Sequence, residues 1–185
     1  SREGASNRRN GLVILDVSNP AEVKELSAFD EGLTGGVHNV FIYQDHVYAI
    51  NNSRRYDVID ISDPAVPNRV GQFELDTPGH SVHDVWVVDG IAYSSNWHDG
   101  VQLVDVGNGI AGGSPSNPVK IDSYAYPNGW NHAAFPYFSE STGKFFVIAG
   151  DEAFPNGFGV GSKKPTIPAG WLHFIDFSNP GNPEE

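Results

Sequence analysis

At 185 residues the chain is long enough to bury one substantial core. Its 23 acidic against 11 basic residues give a net charge of −12, a field that repels nucleic acid and anionic lipid and argues against both as partners. No apolar run reaches membrane-spanning length, so no membrane insertion is expected, and the lack of cysteine excludes disulfides, thiol catalysis and zinc–thiolate sites.

Residues 1–10, with three arginines and little apolar content, read as a linker or frayed end, and residues 11–185 as the folded unit. At Leu12–Pro20 (LVILDVSNP) a short apolar strand ends in an aspartate and a turn, and Val23–Phe29 follows as its neighbour. Val37–Tyr43 and Val47–Ile50 form the next pair, joined by the tight turn Tyr43-Gln44-Asp45-His46. The phrase returns at Asp57–Pro64 (DVIDISDP), followed by Arg69–Leu75. Val82–Val88 and Ile91–Ser95 then pair across Asp89-Gly90. A third copy, Val101–Gly109 (VQLVDVGNG), runs into an insertion at residues 107–118 (GNGIAGGSPSNP) and the strand Val119–Ala125. Asn131–Tyr137 and Phe145–Ala149 precede a longer insertion at residues 151–170 and the fourth copy, Leu172–Pro180 (LHFIDFSNP). Loops of that length in a compact domain are usually functional or mobile.

The aspartates Asp16, Asp60, Asp105 and Asp176 stand 44, 45 and 71 residues apart. A period near 45 with several strands in each repeat predicts an all-β protein, a β-propeller of four-stranded blades. The strands add up to a leading pair, two full blades and three strands of another, about three and a quarter blades of a partial ring. Closed propellers usually have four to eight blades. The expectation is therefore a piece of a longer protein, with a ring completed by another chain as the alternative. Each repeated aspartate precedes a turn, where Asp and Asn bond backbone N–H groups. No loop has the dense carboxylate spacing of a dedicated calcium site.

The phrase LVILDVSNP, followed about 20 residues later by Gly-x-His-Asn/Asp-Val, resembles the LVIVD-repeat proteins, and the resemblance runs from Gly11 to Pro180. It implies a β-propeller of bacterial or archaeal cell-surface or secreted proteins, and hence an extracellular, cell-surface or periplasmic location. It supplies no catalytic residues. The chain departs from the repeat at Gly107–Gly109, where Ser-Asn-Pro becomes Gly-Asn-Gly, and at the longer insertion.

The histidines His38 (GVHNV), His83 (SVHDV) and His132 (WNHAA) occupy one position in three successive repeats. They stand near the start of the strand that lines the channel of a propeller. That end of the strand shares a face with the links carrying Asn51-Asn52, Asn96-Trp97-His98-Asp99 and Asp151-Glu152. Neutral imidazoles with carboxylates beside them suit a transition-metal ion. Hydrogen bonding between blades is the structural alternative. Trp97, His98, Asp99, Asp151, Glu152 and Phe158 are the candidate ligand-binding residues. The aromatics Trp86, Trp97, Trp130, Tyr137, Phe154, Phe158 and Trp171 offer surface for a sugar ring or a partner protein, or for packing between blades. Asn51-Asn52-Ser53 is a formal glycosylation sequon.

Three functions are thus expected to compete. The first is an extracytoplasmic binding or scaffold module that recognises a protein or carbohydrate through the loop-rich face. The second is a metal-dependent enzyme with a histidine-lined channel. The third is an architectural subunit of a surface layer or filament that assembles with further copies.

Overall fold

Alternating apolar residues broken by Asp, Asn and Gly turns form four antiparallel sheets in the computed structural model, which describes residues 10–33, 35–77, 80–126, 130–152 and 170–185. The first sheet pairs β1 (Leu12–Asp16) with β2 (Lys24–Phe29). The second is the meander β3 (Val37–Tyr43), β4 (His46–Asn51), β5 (Arg55–Asp60) and β6 (Asn68–Glu74). The third repeats it with β7 (Asp84–Val88), β8 (Ile91–Ser95), β9 (Val101–Asp105) and β10 (Val119–Tyr124). The fourth holds β11 (Asn131–Ser139), β12 (Lys144–Asp151) and β13 (Leu172–Asp176). All thirteen elements of the described residues are strands, in the expected grouping of a pair, two full blades and three strands of another.

Pairing follows one register from blade to blade. Asp16 stands opposite Lys24, Asp60 opposite Asn68, and Asp105 opposite Val119 across the insertion. Asp176 bridges Glu184 in the same way. Each of these aspartates accepts the backbone N–H two residues on, from Ser18, Ser62, Gly107 and Ser178. The repeated aspartate is thus a turn former, as the sequence predicted.

The strand period of two sends successive side chains of a blade into two different cores. On β4, Val47 and Ala49 join Phe29 and Leu33 of the first unit, while Tyr48 and Ile50 face Val85, Val87 and Ala92 of the third sheet. On β9, Val101 and Leu103 pack with Val147, Ala149 and Ile175, while Val104 turns back toward the second sheet. Such side chains contribute about 1.5–3 kcal/mol each when fully buried, so face-to-face blade packing is the main apolar term in this fold. On the end sheets, Val13 and Leu15 of β1 and Leu172 and Phe174 of β13 remain exposed.

The insertion at residues 107–118 is not a loose loop. The fully buried Asp105 accepts four backbone N–H groups, from Gly107 and Gly109 at one oxygen and Ala111 and Gly113 at the other, over 2.8–3.1 Å. A Cβ at Gly113 would come within 2.1 Å of the Asp105 carbonyl, so this wrap requires glycine there. The Gly-Asn-Gly departure from the repeat is what lets the chain curl around its own aspartate. Residues 1–9 and 153–169 lie outside the described residues, and with them most of the second insertion, Phe154 and Phe158.

Candidate functional site

The first strands of three successive blades, β3, β7 and β11, run side by side and carry two aromatic layers. In the outer layer, the His83 ring lies 4.8 Å from His38 and 4.3 Å from His132, centroid to centroid. Three residues further along each strand, Trp86 lies 4.5 Å from Phe41 and 4.9 Å from Phe135. The histidines that recur in sequence therefore meet in space.

What aims them is a local irregularity. The register of β3 against β4 shifts between Val37 and Val40, and that of β11 against β12 between Asn131 and Ala133. The His83 N–H bonds the Ser95 carbonyl at 2.7 Å, although Asp84 is the residue paired with Ser95. In each repeat an extra residue is thus accommodated at the histidine, as in a β-bulge, which re-aims side chains. This also explains why β7 begins at Asp84 and not at Val82 as predicted. The next residue clamps two blades together, the Asn39 amide donating to the Asp84 carboxylate at 2.7 Å.

His83 is buried, whereas His38 and the side chains of His132 and Glu152 are substantially exposed. Burial first, then the neighbouring His132 and His38 rings, push the His83 imidazole down to about 4 from its ordinary 6.5. Glu152 lies beside two of these histidines. Between those two values the unfolded chain binds more protons than the folded one, so stability falls as pH drops through that window. His83→Gln is expected to flatten this part of the acid limb in thermal melts. An unchanged slope between pH 6.5 and pH 4 would contradict it.

Beside the histidines, the link between β8 and β9 builds a cleft of about 270 Å³ lined by His80, Asn96, Trp97, His98, Asp99 and Trp130. Trp97 adopts a left-handed backbone (φ 52°), uncommon for a bulky residue. Two reciprocal hydrogen bonds of 3.1 Å to the Asn131 backbone hold it there, tying this link to the first strand of the next blade. The Trp97 and Trp130 rings meet edge to face at 5.5 Å, His98 stands edge-on to Trp130 at 4.9 Å, and His83 touches Trp97 at 4.2 Å. His80 bonds Asp99 through its ring Nδ1.

The structure distributes the sequence candidates unevenly. Trp97, His98 and Asp99 line the cleft, and Glu152 stands 3.5 Å from His132 Nε2. Asp151 departs from expectation, because its side chain is fully buried between His173 and the Tyr126 hydroxyl and offers nothing to the surface. The sequon also carries no free acceptor. The Asn51 side-chain amide is buried and donates to Asp57 and the Gly32 carbonyl. Of the other lining residues, Trp130 is one of the aromatics expected to offer a binding surface, whereas His80 is not among the candidate ligand-binding residues. Neither recurs from repeat to repeat, and nothing in the chain order links His80 to Asp99.

Four-stranded meanders packed face to face, with their first strands side by side, define a β-propeller-type repeat protein. The LVIVD-repeat family model matches residues 6–31 and 34–74, so this part of the chain is similar to LVIVD repeats. The matched segments take in β1 to β6, and the histidine and cleft positions of the next two blades follow the same register. No curated protein matches the chain.

Proposed function

We propose that this propeller is a binding module acting outside the cytoplasm, and that it holds a sugar ring in the cleft lined by Trp97, Trp130, His80 and Asp99. The observation that carries the reading is the perpendicular pair of indoles (80° between planes) beside a hydrogen-bonding His80–Asp99 pair. Indole faces pack against the apolar faces of pyranose rings, and a carboxylate with an imidazole takes up hydroxyl hydrogen bonds. A cleft of about 270 Å³ matches one sugar residue or the end of a glycan, being at the small end of ligand sites. The strained Trp97 is held in position by its two backbone hydrogen bonds, a local cost of the kind that collects at ligand sites.

The test is a titration of indole emission and indole N–H NMR shifts with a panel of mono- and oligosaccharides. Saturable shifts are expected with at least one sugar. Trp130→Ala should weaken binding by about tenfold or more, since loss of a central aromatic contact costs about 2 kcal/mol. No saturable response across the panel, or an unaffected Trp130→Ala, would reject the sugar reading. Fractionation of cells that make the natural protein checks the location, and recovery in the cytosol alone would overturn that part.

A further inference from the structure

The geometry points to a divalent first-row transition-metal site, held by His83, His132 and Glu152 on the same face as the cleft. The inference goes beyond the sugar reading and does not rest on it. One nitrogen from each imidazole and one carboxylate oxygen lie within 4.8 Å of one another. An ion such as zinc, with bonds of about 2.1 Å in a tetrahedral set, places its donors about 3.4 Å apart. The His132–Glu152 pair already stands at 3.5 Å. Both of those side chains are about half exposed, so a change of rotamer to close the remainder meets little packing. His83, by contrast, is the fixed point. It is buried, its backbone is bonded to Ser95, and its ring is packed between His38, His132 and Trp97.

The donor backbones are set by the fold. His132 sits at the register shift of β11, and the Glu152 N–H bonds the Trp130 carbonyl at 3.1 Å, which holds the carboxylate beside that strand. Among the described residues the three imidazoles meet ring against ring, not through hydrogen bonds that join one blade to the next. Interblade hydrogen bonding therefore does not account for them. Two imidazoles and one carboxylate suit zinc, iron(II) or cobalt(II), and three protein donors leave a coordination position for water or a ligand. The sequence pattern alone selects the three recurring histidines, but the structure replaces His38 by Glu152. His38 packs at a tilt against His83, outside the converging set.

The probe is Co²⁺ added to tag-free, chelator-stripped protein, read by visible d–d absorption and by competition with Zn²⁺ in calorimetry. One ion per chain is expected, with tetrahedral or five-coordinate bands displaced by Zn²⁺. His132→Gln and Glu152→Gln alter exposed side chains and should keep the thermal midpoint. His132→Gln should weaken binding by at least about tenfold, as loss of a group supporting a metal site does, and Glu152→Gln should weaken it less. His46→Gln, which alters a histidine outside the cluster, should leave binding unchanged. Absence of saturable one-to-one binding would overturn the site, as would equal affinity in wild type and His132→Gln. Repeating the sugar titration on stripped and loaded protein separates failure of this site from failure of the cleft.

Discussion

Asp105→Ala is expected to lower stability by about 4 kcal/mol, far more than the same change at Asp60. Both aspartates end the third strand of a blade and both cap a turn. Asp60 is bonded to the Ser62 N–H, whereas Asp105 is fully buried and accepts from Gly107, Gly109, Ala111 and Gly113. Removing the carboxylate takes the acceptor from four backbone N–H groups at once, and a hydrogen bond to a charged group contributes about 1.5–3 kcal/mol before the freed donors relax toward water. For a chain of this length the loss corresponds to a midpoint drop on the order of 10 °C. Burial alone would raise the Asp105 carboxyl, but the backbone N–H groups outweigh it and hold it well below the usual carboxylate range. The folded state thus binds fewer protons there than the unfolded state. The stabilisation is fully present above about pH 3.9 and is lost as pH falls below it. Asp105→Ala should remove this component of acid unfolding. Denaturant melts of the two variants at neutral and low pH decide the point, and equal losses at Asp105 and Asp60 would refute it.

Asp151→Ala is the second large effect, and it should appear in stability and not in ligand affinity. The carboxylate lies 3.0 Å from His173 Nε2 and accepts the Tyr126 hydroxyl at 2.8 Å, while His173 Nδ1 stands 2.6 Å from Glu185. The Tyr126 and His173 rings stack at 3.7 Å. Burial, followed by the Asp151 hydrogen bond, pushes the Tyr126 hydroxyl far up, so it remains a donor. Breaking a buried polar pair by removing one partner costs about 3–5 kcal/mol, because the other is left unsatisfied. A double-mutant cycle with His173→Gln should therefore show strong coupling, the double variant losing less than the sum of the two single ones. Additive losses would mean that the two side chains act independently.

Register explains why Asp151 misleads as a surface candidate. Three residues before the terminal aspartate of each third strand stand Asp57, Gln102 and His173. In the second sheet that position, Asp57, takes the Asn51 amide together with Arg55 and Arg69. In the fourth sheet His173 takes Asp151, so the blade-internal polar pair persists while its chemistry is rewritten. A chain read in one dimension shows His173 as an isolated histidine in a strand and Asp151 as the first residue of a polar loop.

The strands, the blade period and the turn role of Asp16, Asp60, Asp105 and Asp176 were determined by sequence alone. They rest on local physics, namely alternation on a pleated strand, Asx turns, and repetition at a set interval. The same periodicity marked His38, His83 and His132 as equivalent positions. Only the tertiary structure decided the rest, because it depends on register and on contacts between blades. A register shift of one residue accompanies the meeting of the histidine rings of neighbouring blades, and the fold sets Glu152 beside His132. Packing of neighbouring links brings Trp130 and His80 to Trp97 and Asp99. Such encounters join residues far apart in the chain, and no local preference encodes them.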